Sequence, residues 1–159
     1  MKVQDLMTTG VGTCRVDDSA EQGAHIMWDQ DCGAIPVVDQ DSRVLGMVTD
    51  RDLCMAAFTQ GRPLGDVRIE SAMSKELWIC HPGDDVEAAE AVMKSHRIRR
   101  LPVIDEREQL VGILSLCDLA REALREAGSR SRSKEVKSAD IGETLGAITG
   151  TEWIPARPA

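Results

Sequence analysis

The stretch Gly46 to Leu53, G-M-V-T-D-R-D-L, returns 66 residues later as Gly112 to Leu119, G-I-L-S-L-C-D-L. The same offset joins Pro36 to Pro102, Asp39 to Asp105, Met27 to Met93, Cys14 to Cys80 and Met7 to Met73. Met7 to Leu53 aligns with Met73 to Leu119 without a gap; 11 of the 47 pairs are identical, and pairs such as Ile35/Leu101, Val38/Ile104 and Val48/Leu114 keep their polarity. An internal duplication at such a period constrains the fold before any residue is considered singly. Each copy, at roughly 55–60 residues, has a marginal core of its own, so the two are expected to pack face to face. We divide the chain into a first repeat at 1–62, a second at 63–127, and a basic linker with a C-terminal tail at 128–159.

Hydrophobic periodicity places the elements. Val3 to Met7 is a short lead-in, helical or extended, and Val11 to Val16 is a short strand. Ser19 with Gln22 three residues later has the spacing of a capping box, opening an amphipathic helix through Ala20, Ala24, Ile26 and Met27 to about Gln30. Cys32 to Val38 and Val44 to Val48 flank the polar turn Asp39 to Arg43 and read as a β-hairpin, after which Thr49 caps a helix through Leu53, Cys54, Ala57 and Phe58. Thr59 to Asp66 is punctuated by glycine and proline and is taken as the connector. The order then repeats: a strand at Leu77 to Cys80, a helix from near Asp85 to about His96, strands at Arg100 to Ile104 and Leu110 to Leu114, and a helix from Leu116 to Ala127. The expected fold class is therefore α/β of the α+β type, two β-α-β-β-α repeats about a pseudo-two-fold axis. Gly128 to Ser138 has no apolar periodicity and reads as a flexible linker. Ile141, Leu145 and Ile148 fall near helical spacing, followed by Trp153-Ile154-Pro155, a tail that could dock on its own body or on a neighbouring subunit.

In both copies a hydroxyl (Thr49, Ser115) follows the last strand and an aspartate (Asp52, Asp118) stands three residues beyond it. One such pair is accounted for by helix capping alone. Two pairs in one β-hairpin setting point further. A helix start favours an anion, and an ionised carboxylate, being acceptor-only, can take both donors of a vicinal diol. A sugar phosphate suits that combination.

The patterns A-I-P-V-V-D, G-M-V-T-D-R-D-L, R-L-P-V-I-D and G-I-L-S-L-C-D-L resemble the paired cystathionine-β-synthase (CBS) domain module over about Lys2 to Ala127. The resemblance implies a small sensor that binds an adenosine ligand (AMP, ADP, ATP, NAD or S-adenosylmethionine) in the cleft between its repeats. It implies that Thr49 and Ser115 approach the phosphate or ribose and that Asp52 and Asp118 accept from ribose hydroxyls. By the same resemblance, backbone groups at Ala34 and Arg100 with Ile35 and Leu101, each beside its proline (Pro36, Pro102), line the adenine slots, opposite Thr13 and Ile79. It also implies a homodimer formed through helices as a flat four-domain disc, read by an effector protein that the sequence leaves unknown. Arg99 and Arg100 replace Gly33 and Ala34 of the first copy, so the two sites are unequal, and the second, or a site sharing these arginines across the pseudo-two-fold, is expected to hold the more highly charged ligand.

Composition excludes several alternatives. Aromatic residues are only 3%, which leaves no stacking platform for single-stranded nucleic acid, and a net charge of −8 repels polyanions despite the basic run Arg130 to Lys137. Five cysteines occur singly with no C-x-x-C and are read as reduced core residues of a cytoplasmic protein. No apolar run is long enough for a bilayer, so no membrane partner is expected. His25, His81 and His96 lack metal-ligand spacing, and neither a dinucleotide fingerprint nor a phosphate loop is complete. No metal, no catalytic cofactor and no nucleophile-base-oxyanion set is expected, so the chain is not read as an enzyme. The competing reading is an interaction scaffold whose hydroxyl-acid pairs are helix caps and nothing more.

Overall fold

The computed structural model describes residues 1–128 and 136–150. The basic run from Arg130 falls outside them except for Val136 and Lys137, as does Trp153-Ile154-Pro155. The described residues form two compact bodies. The first body holds Thr8–Ile79 with Pro102–Gly112; the second holds Met1–Met7, Cys80–Leu101 and the described residues from Ile113 onward.

Helix α1, Ala20–Asp29, starts at Ser19, whose Oγ accepts from Gln22 N at 3.2 Å while Gln22 Oε1 accepts from Ser19 N at 2.8 Å, the expected capping box. Strands β1, Ala34–Val38, and β2, Val44–Thr49, pair antiparallel with Ala34 opposite Thr49 and Ile35 opposite Val48. Helix α2, Asp50–Gln60, follows at once and ends at Gly61, whose positive φ of 60° gives the left-handed residue that closes a helix. A 3-10 turn at Leu64–Asp66 ends the connector and the short α3, Ile69–Ala72, follows it; the sequence did not signal α3. Helix α4 spans Val86–His96, β3 Arg100–Ile104 pairs with β4 Leu110–Ser115, and α5 spans Leu116–Ala127. The hairpin turns match across the repeat. Asp39 Oδ1 accepts from the N–H groups of Asp41 and Arg43, and Asp105 Oδ1 from those of Arg107 and Gln109.

Two expected strands shrink. Val11 to Val16 contributes a single bridge, Cys14 to Val37, and Leu77 to Cys80 is bridged only at Cys80. The cause is local. The carboxylate of Asp18 accepts from Arg15 N and that of Asp84 from His81 N, each at 2.8 Å, so the chain turns away directly after the bridging cysteine.

The duplication extends into the lead-ins, and there the copies exchange partners. Val3 N donates to Asp84 O at 3.0 Å and Gln4 N to Pro82 O at 3.0 Å; 66 residues on, Ile69 N donates to Asp18 O at 2.9 Å and Glu70 N to Val16 O at 3.0 Å. Val86 N donates to Met1 O, as Ala20 N does to Val67 O. The opening segment of the chain thus belongs to the second copy, and the segment before the second copy belongs to the first. Asp85, at the start of α4, makes no side-chain cap and instead pairs with Lys2 at 2.8 Å, which holds its carboxyl below the usual range.

The core of the first body joins Cys14, Met27, Ile35, Val37, Val48 and Leu53 with Ile69 of α3. In the second body Val3, Met93, Leu101, Leu114 and Leu119 are fully buried. Helix α6, Ser138–Thr149, lies on α4 and α5, so this part of the tail docks on its own body. Thr144, 2% exposed, donates from Oγ1 to Glu90 Oε1 at 2.5 Å, and Glu143 pairs with Lys94 at 3.0 Å.

The cysteines divide into two kinds. Cys14 and Cys80 are core residues as expected, but the other three are not: α2 and α5 turn Cys54 and Cys117 outward to the surface, and Cys32, between α1 and β1, is half-buried. Among the described residues, no helix is long and apolar enough to cross a membrane.

Candidate functional site

In the first body, Ala34, Thr49 and Asp52 stand at the open end of the β1–β2 hairpin, whereas Thr13 lies beside Pro36 and shares a cavity with Val38 and Ser42 toward the turn. Cys14 N donates to Pro36 O at 3.1 Å, which sets Thr13 beside β1, and the pairing of Ala34 with Thr49 brings the start of α2 to the start of β1. Thr13 is half-buried in the wall of a cavity of about 240 Å3 that it shares with Val11, Val38, Ser42 and Gly112. Thr49 and Asp52 are not part of that wall. The side chain of Ile35 is fully buried in the core, so whatever it offers a ligand is confined to its backbone. Ile79 is half-buried and Pro102 buried, both in this same body.

Each hydroxyl-acid pair is a reciprocal capping box. Asp52 Oδ2 accepts from Thr49 N at 2.9 Å and from Thr49 Oγ1 at 2.7 Å, while Thr49 Oγ1 accepts from Asp52 N at 3.1 Å. Asp118 Oδ2 accepts from Ser115 N at 2.8 Å and from Ser115 Oγ at 2.6 Å, and Ser115 Oγ accepts from Asp118 N at 3.3 Å. The rest of the first turn is also engaged. Asp50 N donates to Gly33 O at 3.3 Å, as its repeat counterpart Leu116 N does to Arg99 O at 2.9 Å, and Arg51 N donates to Asp50 Oδ1 at 2.7 Å. The amides expected to await an anion at the start of α2 therefore already have acceptors within the chain.

The carboxylates differ in their second oxygen. Asp52 Oδ1 has no protein donor among the described residues, and the side chain is half-buried. Asp118 is 7% exposed, and its Oδ1 accepts from the Arg121 guanidinium. Arg121 is itself 73% exposed, so this ion pair is weak and displaceable. The sequence reading passed over Arg121, although its i,i+3 spacing from Asp118 is a helix-pair signal. Around Asp118 the second body gathers Ser115, the exposed Arg99, the half-buried Arg100 and the buried Leu101.

One turn further along α5, Glu122 is buried and forks onto Arg125, with Nε to Oε2 at 2.7 Å and Nη2 to Oε1 at 2.5 Å, which holds the Glu122 carboxyl below the usual range. Burial raises the Cys14 thiol to about 11 and the Cys80 thiol to about 12. Neither is a nucleophile near neutral pH, and the backbone N–H of exposed His81 donates to the Asp84 carboxylate. Among the described residues, no three His, Cys, Asp or Glu side chains cluster as metal ligands would.

Comparison with known proteins matches the same repeats. A family model for the CBS domain matches residues 3–58 and 64–125. The CBS domain-containing protein YhcV of Bacillus subtilis is 42% identical over 118 residues, 74% of this chain and 82% of the relative. Hypoxic response protein 1 of Mycobacterium tuberculosis is 30% identical over 118 residues, and a crystal structure of Hypoxic Response Protein I with two coordinated zinc ions superposes with a TM-score of 0.69, covering 76% of this chain and 98% of that one at 29% identity. The CBS domain pair of protein MJ0100, solved in complex with 5′-methylthioadenosine and S-adenosyl-L-methionine, shares the fold with a TM-score of 0.71 at 23% identity, over 81% of this chain and 98% of that one. With the family model covering both copies, this chain belongs to the CBS-domain family.

Proposed function

We propose that the chain is a regulatory module that binds an adenosine-containing ligand, with the first-copy site made of Thr13, the backbone of Ala34–Pro36, Thr49 and Asp52. The observation that carries this reading is the division of labour at Asp52: one oxygen closes the helix cap and the other is left without a protein donor at a half-buried mouth. A cis-diol supplies the donors such an oxygen lacks. At the second-copy site, Arg121 has to leave Asp118 before a ribose can be accepted, and Arg99 and Arg100 then stand near a ligand phosphate. The adenosine complexes of the MJ0100 pair support the ligand class. No chemical step is assigned to the chain; its output is a change in how it packs on a second copy or on an effector protein in the cytoplasm.

The capping boxes favour a second reading, an interaction scaffold with empty sites, because every first-turn amide of α2 that a ligand phosphate would use has a partner. Isothermal titration with AMP, ATP, NAD and S-adenosylmethionine separates the two. A sensor gives saturable heat with at least one ligand and a raised melting temperature. No heat and no shift with any of the four leaves the scaffold.

A further inference from the structure

Ser115 and Asp118 at the start of α5 repeat Thr49 and Asp52 at the start of α2, but the charges around them do not repeat. At an offset of 66, Arg97, Arg99, Arg100 and Arg121 of the second copy stand where the first has Asp31, Gly33, Ala34 and Met55. Four positive charges thus share the second body with Asp118, and their first-copy counterparts bring none. Backbone bonds set the group together: Leu116 N, in the first turn of α5, donates to Arg99 O at 2.9 Å, and Arg100 opens β3 next to it. The four arginines are not equivalent. Among the described residues, Arg121 alone is engaged with Asp118, through Nη2 on the Oδ1 that a ribose would need, and its side chain is 73% exposed against 6% for that of the aspartate. Of its helix neighbours three and four residues away, Cys117, Leu124 and Arg125 carry no carboxylate, so on α5 it has no second acid to turn to. Met55, at the same place on α2, is 45% exposed, and Asp52 Oδ1 has no protein donor among the described residues.

We propose that Arg121 is a charge-selecting latch on the second-copy site: it withholds Asp118 from unphosphorylated adenosine and yields it to an adenosine ligand that carries a phosphate. Resting on the ligand reading above, the latch adds which ligand class each site takes. A neutral adenosine that sets its diol on Asp118 has to separate an ion pair and leaves the guanidinium to water. A phosphate on the same ligand gives that guanidinium a charged, bidentate acceptor in exchange. Arg99 and Arg100 attract phosphate whether or not the latch is closed, whereas Arg121 also opposes a ligand without one. The first copy has no exchange to make, because the thioether of Met55 cannot pair with Asp52. Its site takes adenosine with or without phosphate.

Titration calorimetry with adenosine and with AMP tests this on a full chain carrying Asp52→Asn, so that the second-copy site supplies the heat. Adding Arg121→Met, the first-copy residue, is expected to move the two affinities in opposite directions. Adenosine binds about two- to fivefold more tightly, as release from an exposed ion pair allows, and AMP about tenfold more weakly, as loss of a charged hydrogen bond requires. A residue that only supports the fold moves both the same way. The reciprocal change, Met55→Arg in a chain carrying Asp118→Asn, installs the latch on α2 and is expected to weaken adenosine about two- to fivefold at the first-copy site. If both ligands bind but Arg121→Met shifts them together, or leaves adenosine no tighter, the latch is overturned and the adenosine sensor stands. No heat and no thermal shift with either ligand, in the unmutated chain and in Arg121→Met alike, overturns the sensor and the latch with it. Should Arg121→Met fail to fold by circular dichroism, Met55→Arg decides, and adenosine binding unchanged by it overturns the latch.

Discussion

Asp52 and Asp118 occupy the same place in the repeat and hold the same cap, yet only Asp118 has its second oxygen neutralised, by Arg121. Asp52→Asn separates the two roles of the residue. An amide oxygen can still accept from Thr49 N, so the helix cap changes by less than the roughly 0.5–2 kcal/mol of a full cap deletion, while a neutral group accepts more weakly from a diol. The expected result is a melting temperature close to that of the unmutated chain with at least a tenfold loss of AMP affinity in titration. Equal losses of both would return the residue to capping alone. The thiols provide a second check at this scale. Cys54 and Cys117 should react with iodoacetamide in the native protein, and Cys14 and Cys80 only after unfolding. Burial raises both core thiols, so their neutral form belongs to the fold. Their contribution to stability is complete below the unfolded-state value of about 8.5 and is lost as pH rises from there toward about 11 and 12. Denaturation midpoints should fall across that alkaline window, and less steeply in Cys80→Ala measured against its own neutral-pH value.

At the level of elements, the sequence was most informative where a side chain acts on its own backbone. Ser19, Thr49 and Ser115 announced their helices, and the Asp39 and Asp105 turns announced their hairpins, because these are short-range hydrogen bonds written in adjacent residues. The shortened first strands have a local cause, the Asp18 and Asp84 turns, whose acids the sequence offered equally as helix starts. Helix α3 and the seat of α6 were not legible, because they depend on bonds to residues far along the chain, such as Ile69 to Asp18 and Thr144 to Glu90. The glycine opening the repeated motif has a cause of the same long-range kind. A Cβ on Gly46 would stand 2.3 Å from Ser74 O, which already accepts from Met47 N at 3.1 Å. Gly46→Ala is expected to cost about 1–3 kcal/mol through that clash, seen as a melting temperature lower by about 2–4 °C per kcal/mol. On α5, Arg125 lowers the Glu122 carboxyl. The stability this supplies is present above the unfolded-state value and lost as pH falls through the folded one. Glu122→Gln should therefore flatten the acid limb of the melting curve below about pH 4.3, by a small amount because Arg125 is 72% exposed.

For the molecule as a whole, the duplication read from the sequence holds in three dimensions down to single hydrogen bonds, including those of the lead-ins. A ligand held only by the folded state should add about 2.7 kcal/mol at a hundredfold excess over its Kd, a rise of about 5–10 °C in a chain of this size; thermal scans against AMP and ATP measure it. The crossed lead-ins also say something about origins. Two single-copy chains could make the same bonds, each lending its first residues to the other. Tandem fusion of a segment-exchanged ancestral pair would turn those loans into bonds within one polypeptide. On that account the stretch from Gly61 to Asp66 is the seam, and a chain split there and expressed as two fragments should reassemble only when both halves are supplied.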